Sequence, residues 1–536
     1  MVGLGDRVVM SNQSTQQQTD QNVGQLEHFV TIGLALARQS DQTLLLEQIL
    51  QSAQQISKAE GGTIYRCYDQ HLEFATLINH RLGLHQGGTS GVSPQQAPIP
   101  LLIDGKPNAS AVVAMAANQQ QPIAIDDVYA SPLVNQQKAR DFDQQMGYRT
   151  QSMLTVPLLD HQADVTGVLQ LINCLDDTGQ PQPFPEEVQR QVLALASLAA
   201  MVITNKQLVR DLENLFEALS RLLAQAIDEK SPYTGGHCRR VPALTMMLAE
   251  ACSDTTAGPL AEFVMTPADV HELSVAGWLH DCGKIATPEY VMDKATKLHG
   301  LHDNITLVAA RFEIAARDIE LNPLLDVASK AQHLEQLRLD LSFLRSSNIG
   351  GEFMSWELQK RVRDIADRYQ ISIGGVAQSV LTTDEVTNMC VERGTLNNEE
   401  RRIINRHIEV TIDMLESLPF PKHLKNVPEY AGGHHEKMDG TGYPRGLKKE
   451  QMSVQARIMA IADIFEALTA NDRPYKKAKT LSESLRILGY MAQDHHIDAD
   501  LFRVFIAEKV YLRFANEFLG PEQIDDVDFN TIPGWQ

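Results

Sequence analysis

The chain has 536 residues, which at about 100–200 residues per domain allows two to four domains that each bury a core. Hydrophobic residues make up 43% and charged residues 21%, so the composition excludes a wholly disordered chain and a disulfide-stapled miniprotein. The formal net charge of −21 repels phosphate backbones, so we expect no generic DNA or RNA binding.

The cysteines and the N-terminus indicate a cytoplasmic protein. The six cysteines lie far apart and form no CxxC pair, which is typical of reduced thiols. Residues 1–24 are polar and rich in Gln, so we predict a disordered tail without the apolar run of a signal peptide. No run reaches about 18 consecutive apolar residues, and we therefore expect no membrane insertion.

Residues 25–205 show the pattern of an α+β domain. Helical periodicity over 26–59 is followed by strand-like alternation at 63–68 and 74–78. Two further apolar runs, 152–158 and 165–173, are separated by a short polar segment and predict a hairpin. Helix, antiparallel sheet and helix in this order are typical of a sensor-like domain.

The hairpin sequence carries a family resemblance. The pair MLTVPLLD and VTGVLQLIN, followed by Phe184-Pro185-Glu186-Glu187 and a long helix, resembles the end of a GAF domain. The resemblance implies a sensory role for residues 25–205 with an unknown ligand. The nucleotide-binding branch of that family carries an Asn-Lys motif, but Asn173 is followed here by Cys174. A domain retained only for dimerisation remains the alternative.

A long connecting helix is predicted over 190–228. Its leucines recur at spacings of 4, 3, 4 and 3, as in the a/d seam of a coiled coil. This pattern predicts a homodimer through the helix, and the alternative is an amphipathic helix packed on its own domain. The seam residues are Leu208, Leu212, Leu215, Leu219 and Leu222.

From residue 215 to 515 the helical periods continue, and we predict an all-α domain. Asn397 and Glu400 form a capping-box pattern that is expected to start the helix bearing His407. Residues 315–395 are amphipathic without a chemical motif and are predicted to be a helical insertion. Residues 516–536 are predicted to be a C-terminal tail.

Two short motifs in this domain offer metal ligands. His280 and Asp281 follow an apolar helical stretch; imidazole with carboxylate suits Fe, Mn or Zn, and a carboxylate can bridge two ions. His434 and His435 are adjacent after two glycines, so they are expected to point to two neighbouring ions. Two ions about 3.5–4 Å apart are a standard device for phosphodiester cleavage. Further ligands of suitable type are His237, His407 and Asp463.

Two other segments suggest substrate contacts. Tyr443 follows a glycine-rich turn and offers a ring face and a hydroxyl. Arg473 and Lys476 flank a proline and a tyrosine, and this cluster of cations suits an anionic, base-bearing ligand. The alternative is a solvated basic turn.

Together, HDCGK at 280–284, HHEKMDGTGYP at 434–444, Asp463 and RPYK at 473–476 resemble the HD-GYP family of cyclic di-GMP phosphodiesterases. The resemblance covers about residues 215–515 and implies two or three divalent ions, commonly iron or manganese. It implies that Asp281 bridges two ions and that Lys284 holds a phosphate oxygen and stabilises transition-state charge. The implied metal ligands are His237, His280, Asp281, His407, His434, His435 and Asp463.

The same resemblance implies that Tyr443 lines the pocket while Arg473 and Lys476 hold the dinucleotide. Hydrolysis would open the ring to linear pGpG, and a second cleavage would give GMP. The carboxylate for a third ion falls at Asp228 or Glu229, where the family often has Glu nine residues before its first histidine. Cys282 replaces an aliphatic residue, and the 315–395 connection is longer than usual.

Two alternative functions remain open at this point. One is hydrolysis of another cyclic dinucleotide, such as cyclic GMP-AMP. The other is a non-hydrolytic receptor that binds the nucleotide and signals through a partner protein.

Overall fold

The computed structural model describes residues 31–36, 38–39, 41–230, 236–471 and 478–535, without the side chains of residues 138, 142, 145 and 146. The predicted N-terminal tail, 1–24, lies outside these residues. The chain divides into two compact units, Met1–Asn214 and Leu215–Gln536.

The first unit is built on an antiparallel sheet. The strands are β1 Ala59–Tyr68, β2 His71–Asn79, β3 Leu84–Gly87, β4 Ile99–Pro100, β5 Leu102–Ile103, β6 Lys106–Pro107, β7 Ile123–Ile125, β8 Met153–Leu159, β9 Val165–Leu175 and β10 Pro181–Gln182. The six main strands of the sheet have the order β3-β2-β1-β9-β8-β7, with β4 paired to β2 and β10 to β9, while β5 and β6 form a separate pair. The predicted hairpin is confirmed, with Met153 opposite Ile172 and Leu159 opposite Val165.

Helices cover both faces of this sheet. They are α1 Gln42–Ser57, α2 Val112–Gln119, α3 Gln136–Met146 and α4 Glu186–Lys230. Asp41 caps α1 by accepting from the backbone N–H groups of Thr43 and Leu44. Leucines of α1 and the start of α4 pack on one side with Ile64, whereas Tyr65, the next residue along β1, packs on the other side with α2. The alternation is the period of two expected for a strand.

The predicted long helix is confirmed as α4, which has 45 residues. Its first part contributes Val192, Leu195, Ala196 and Ala199 to the core of the first unit. Among the described residues it is the one helix long and apolar enough to cross a membrane by length and composition, and 33% of its most apolar window is buried. A core helix of a soluble protein passes the same test, so this finding alone assigns no membrane span.

The leucine seam of α4 is exposed along its length. The exposed fractions are 53% for Leu208, 67% for Leu212, 55% for Leu215, 49% for Leu219 and 59% for Leu222. These values run against the alternative in which the seam is covered by the helix's own domain.

The second unit is largely helical. Its helices are α5 His237–Ser253, α6 Pro267–Leu279, α7 Glu289–Met292, α8 Ile305–Leu321, α9 Val327–Asn348, α10 Trp356–Arg368, α11 Thr383–Met389, α12 Asn398–Asn405, α13 His407–Glu416, α14 Val427–Gly432, α15 Val454–Thr469, α16 Leu481–Gln493, α17 Ala499–Ala507 and α18 Val510–Phe518. Its main core joins α5, α6 and α15 with the C-terminal helices, through residues such as Leu244, Leu273, Phe465 and Phe505.

The predicted insertion, residues 315–395, belongs to a small separate core that begins earlier, at Leu298, and includes Val308, Phe312, Leu344 and Val362. It is helical as predicted over α8, α9 and α10, but it also contains a hairpin of β11 Gln370–Ile373 and β12 Val376–Ser379. Gly374 and Gly375 form the turn with φ of 61° and 81°. Two positive φ values are what a two-residue hairpin turn requires, and glycine adopts them without strain.

The C-terminal segment differs from the predicted tail. Ile532 is buried in the main core, and the carbonyl of Pro533 packs so closely on α16 that a Cβ at Gly489 would lie 2.3 Å from it. Residues 516–535 are therefore part of the second unit, because their apolar side chains cover its helices.

Candidate metal centre

Helix ends bring the predicted ligands together. His280 caps the C-terminus of α6, and Asp281 follows it. His407 is the first residue of α13, and His237 is the first residue of α5. His434 and His435 follow α14, while Asp463 lies within α15.

The capping box predicted at Asn397 and Glu400 is confirmed, but its helix ends at Asn405. His407 therefore lies on the next helix, α13, and not on the helix that the box starts. Gly283 allows the turn after Asp281 to touch this helix, since a Cβ there would lie 2.0 Å from the carbonyl oxygen of His407. The N–H of Gly283 donates to Thr411 Oγ1 at 2.9 Å.

Asp281 is the hub of the cluster. Its Oδ2 lies 3.0 Å from His237 Nε2, 3.2 Å from His280 Nε2 and 2.5 Å from Lys284 Nζ. Its Oδ1 faces the other way and lies 3.3 Å from His407 Nε2. The two oxygens of one buried carboxylate thus face two different sets of imidazoles, which is the arrangement that a bridging ligand requires.

The ligand atoms form three groups, and within each group they lie within 4.8 Å of one another. The groups are His237 with His280 and Asp463, His280 with Asp281 and His434, and His407 with His434 and His435. The adjacent histidines therefore share one group, where the sequence predicted one ion for each. His434 also belongs to a second group, so it lies between the two halves of the cluster.

Three of the histidines have a fixed tautomer. Nδ1 of His280, His407 and His434 lies 2.8, 2.5 and 2.6 Å from the backbone carbonyl three residues earlier. A carbonyl only accepts, so each Nδ1 donates its hydrogen. A neutral ring held in this way carries its lone pair on Nε2, which is the form that binds a metal ion.

These lone pairs test whether the residues fit a metal ion. Nε2 of His280, Nε2 of His434 and Oδ1 of Asp281 are buried without a hydrogen-bond partner among the described residues. Orphaned buried acceptors are costly in a folded protein. Divalent cations would satisfy them, and the donor set of imidazoles and carboxylates suits iron, manganese or zinc.

The pKa values agree with this state. Burial lowers the pKa of His434 to about 4, helped by the neighbouring His280. Burial, with His434 and His407 nearby, also holds the pKa of His435 well below its usual range. Metal binding requires neutral imidazole, so both rings are ready to act as ligands at neutral pH.

Charge pairing controls the other side of the cluster. Burial alone would raise the pKa of Asp281, but Lys284 and His280 bring it well below its ordinary value. Burial lowers the pKa of Lys284, yet Asp281 and Asp463 outweigh burial and raise it. The carboxylate is therefore ionised and the amine is charged, and the Lys284 side chain is 18% exposed beside the cluster.

Two functional residues were missed from the sequence, Glu466 and Arg240. Glu466 is buried, its Oε2 lies 2.6 Å from His237 Nδ1, and its Oε1 accepts from Arg240 Nε at 2.7 Å. Glu466 outweighs the effect of burial and raises the pKa of His237 to about 10. The available signal was spacing, since Glu466 follows Asp463 by three residues and Arg240 follows His237 by three, which places each pair on one helix face.

Tyr443 lies beside His435 at the edge of the cluster. Its ring stacks on His435 with centroids 4.9 Å apart and an angle of 17°. The loop that carries it is fixed by buried Glu436, which accepts from the N–H groups of Arg445 and Leu447. A Cβ at Gly442 would lie 2.4 Å from the backbone nitrogen of Lys437, so only glycine fits this turn.

The remaining predicted residues are placed as follows. Arg473 and Lys476 lie outside the described residues. Asp228 accepts from the N–H of Gly236 through Oδ2, while its Oδ1 is buried without a hydrogen-bond partner in the described chain. Glu229 is exposed. Cys282 is buried in the main core, as its small apolar side chain predicts.

Protein-family comparison matches one segment in each unit. A GAF domain matches residues 41–203 and an HD domain matches residues 380–501. Among solved structures, the GAF domain of a phosphoenolpyruvate-protein phosphotransferase from Acinetobacter is 16% identical, with 35% of this chain and 97% of that chain covered and a TM-score of 0.26.

Curated relatives match shorter segments of the chain. The 3'3'-cGAMP-specific phosphodiesterase 1 of Vibrio cholerae is 38% identical over 21% of this chain and 25% of the relative. The cyclic di-GMP phosphodiesterase of Thermotoga maritima is 40% identical over 17% of this chain and 25% of the relative. The chain thus spans about a quarter of the length of these relatives. The chain carries a GAF domain followed by an HD domain.

Proposed function

We propose that the protein is a metal-dependent phosphodiesterase of the HD-GYP type that hydrolyses cyclic di-GMP to pGpG and then to GMP. One observation carries this proposal: imidazoles and carboxylates from five helices and the turns after them converge beside a charged lysine. Three of their ligand atoms, Nε2 of His280, Nε2 of His434 and Oδ1 of Asp281, are buried without a hydrogen-bond partner among the described residues. A cytoplasmic location, which the composition predicts, is part of the same proposal.

Two or three divalent ions, iron or manganese, form the proposed cofactor. Ions held here would polarise the phosphoryl oxygens and lower the pKa of water. Asp281 would supply a carboxylate oxygen to each of two such ions. The other proposed ligands are His237, His280, His407, His434, His435 and Asp463.

Asp228 is the proposed ligand of a third ion. Its buried Oδ1 has no hydrogen-bond partner among the described residues, whereas Glu229 is exposed. Asp281 and Asp228 both raise the pKa of Cys238, after burial itself, so both carboxylates lie near this thiol. This position supports Asp228 over Glu229.

Lys284 and Tyr443 are the proposed substrate contacts in the described chain. The Lys284 amine lies next to Asp281, where it can hold a non-bridging phosphate oxygen and offset the charge that grows in the transition state. Tyr443 orients His435 by stacking and lines the pocket. Arg473 and Lys476 remain proposed contacts to the dinucleotide.

A second candidate substrate is 3'3'-cyclic GMP-AMP. Three of the curated relatives are named as phosphodiesterases specific for that dinucleotide, including two with 38% and 41% identity. The metal centre would cleave either substrate, because both contain the same phosphodiester. A non-hydrolytic receptor is the weaker alternative, since such a receptor needs no free metal-binding atoms.

The first unit is proposed to regulate this activity, with an unidentified ligand for the GAF domain. We propose that a second copy of the chain covers the exposed leucines of α4, because a parallel pair of such seams buries them as knobs into holes. No DNA, RNA or membrane partner is part of the proposal.

The test is product chromatography on protein purified without oxygen. The protein is incubated separately with cyclic di-GMP and 3'3'-cyclic GMP-AMP, with and without a chelator. Formation of pGpG or GMP that the chelator stops supports the proposal. Preferential cleavage of cyclic GMP-AMP favours the second candidate, and binding without cleavage of either dinucleotide establishes the receptor.

A further inference from the structure

A cleft opens from the metal cluster on the side of Tyr443 and His435. Its volume is about 350 Å³, near the lower end of the range for small-molecule sites, which is roughly 300–1,000 Å³. A cleft of this size has room for one nucleoside unit and not for a whole cyclic dinucleotide. Its position beside the proposed cleavage site means that whatever flanks the scissile phosphate enters it.

One wall of the cleft is apolar. It is formed by Ile464, Ala467 and Leu468 of α15 and by Met491 of α16. All four side chains are partly buried, and Ile464, Leu468 and Met491 pack against the main core. An apolar wall with a flexible methionine suits the face of an aromatic base, because bases have apolar faces and polar edges.

Two nitrogen-bearing side chains, Lys437 and His496, line the same cleft. Within the described part of the chain, neither the Lys437 amine nor the His496 ring makes a hydrogen bond or an ion pair. The two groups are close enough for Lys437 to lower the pKa of His496, after burial, while Asp439 and Asp494 raise it. The net pKa is below the usual value, so the ring is neutral at neutral pH.

We propose that this cleft binds one base of the cyclic dinucleotide, with its face on Leu468 and Met491, and that Lys437 reads the base edge and selects guanine over adenine. The inference rests on the proposed function and deepens it. Guanine presents two acceptors, N7 and O6, whereas adenine presents one acceptor and an N6 donor. A lysine amine only donates hydrogen bonds, so it can donate to both N7 and O6 of guanine. In adenine the same position holds the N6 amine, which is also a donor and cannot accept from lysine. His496 supplies the second polar contact.

The test measures kcat/KM of the metal-loaded full chain with cyclic di-GMP and cyclic di-AMP, for wild type and two variants. For Lys437→Met we expect kcat/KM to fall about 10- to 100-fold for cyclic di-GMP and to change little for cyclic di-AMP, as expected for loss of one base-reading contact. Leu468→Ala should lower both values by similar factors, because every base has an apolar face. Lys425→Met, at an exposed lysine away from the cleft, is the matched control and should leave both values unchanged.

Metal content of each variant is measured alongside, and it should equal that of wild type. Equal losses for the two dinucleotides in Lys437→Met would overturn the inference and assign Lys437 to the phosphate. The inference would also fail if Lys437→Met left kcat/KM unchanged for both dinucleotides.

A binding arm separates this inference from the proposed function. GMP and AMP are titrated into the same metal-loaded proteins by calorimetry. If wild type cleaves no cyclic dinucleotide, the proposed function fails, and tighter binding of GMP than AMP that disappears in Lys437→Met still supports the guanine-reading cleft. Equal binding of GMP and AMP by wild type would overturn it.

Discussion

Glu466 supports His237 from behind: its Oε2 lies 2.6 Å from Nδ1, while Nε2 of the same ring lies 3.0 Å from Asp281 Oδ2. A carboxylate on the far nitrogen of a metal-binding histidine fixes the ring and raises its basicity. Arg240 holds the other oxygen of Glu466, so the orientation of His237 depends on a buried charged network.

This network predicts a pH-dependent stability. Burial raises the pKa of Glu466, but His237 and Arg240 lower it from 4.5 to about 2. A lowered carboxyl pKa contributes stability that is fully present above pH 4.5 and is lost as the pH falls towards 2. We expect Glu466→Gln to lower the free energy of unfolding by about 3 kcal/mol at pH 6 and by progressively less below pH 4.5.

The measurement is denaturant unfolding of metal-stripped protein at several pH values, followed by circular dichroism. Glu508→Gln, at an exposed carboxylate of the same unit, is the control and should differ little from wild type. If Glu466→Gln lowered the free energy of unfolding by the same amount at pH 6 and at pH 3, Glu466 and His237 would not be ionised as described.

Features of the fold and the site that depend on neighbouring residues could be predicted from the sequence, whereas contacts between residues far apart along the chain could not. The β8–β9 hairpin followed from alternation, and the ligand types followed from local motifs. The sharing of one ligand group by His434 and His435 did not, because it depends on how α13 packs beside the turn after α14. Glu466 and Arg240 carried the right spacing, but their contact joins residues 226 apart.

In the insertion, too, only some of the elements could be predicted from the sequence. Its helices followed from amphipathic periodicity, and the β11–β12 hairpin was missed although Gly374-Gly375 is a strong local turn signal. The surrounding charge made the segment look uniformly helical. The C-terminal segment was mistaken for a tail because its few apolar residues, including Ile532, acquire meaning only against a core built by α15 to α18.

Replacing the proposed bridging carboxylate should remove the metal pair. We expect Asp281→Ala to abolish turnover and to reduce bound metal, because both oxygens face imidazoles of the cluster. Asp413→Ala, at an exposed aspartate on the same helix as His407, is the matched control. Elemental analysis and helical circular dichroism distinguish loss of metal from loss of fold, and full metal retention in Asp281→Ala would contradict the bridging role.

Lys284 should act on the reaction and not on metal retention. We expect Lys284→Met to lower kcat by about 10²- to 10³-fold, the usual cost of removing one preorganised donor to transition-state charge. Lys284→Arg should recover part of this loss, since it keeps the positive charge. An unchanged kcat, or a loss of metal that accounts for the whole effect, would remove Lys284 from its proposed role.

The connecting helix should determine the oligomeric state. We expect Leu212→Glu combined with Leu219→Glu to convert a dimer to a monomer, because each substitution places a charge in the seam. Gln225→Glu adds a charge on an exposed position of the same helix outside the seam and should leave the dimer intact. Sedimentation at micromolar concentrations measures this, and a monomeric wild type would contradict the proposed pairing.

The most direct test of the central claim is metal titration coupled to turnover. Chelated protein is reloaded in steps with iron or manganese under anaerobic conditions, and bound metal and the rate of cyclic di-GMP hydrolysis are measured on each sample. We predict that the rate rises steeply only as the second ion binds, with at least two ions per chain at full activity. Full hydrolysis by protein that holds less than one ion per chain would contradict the claim.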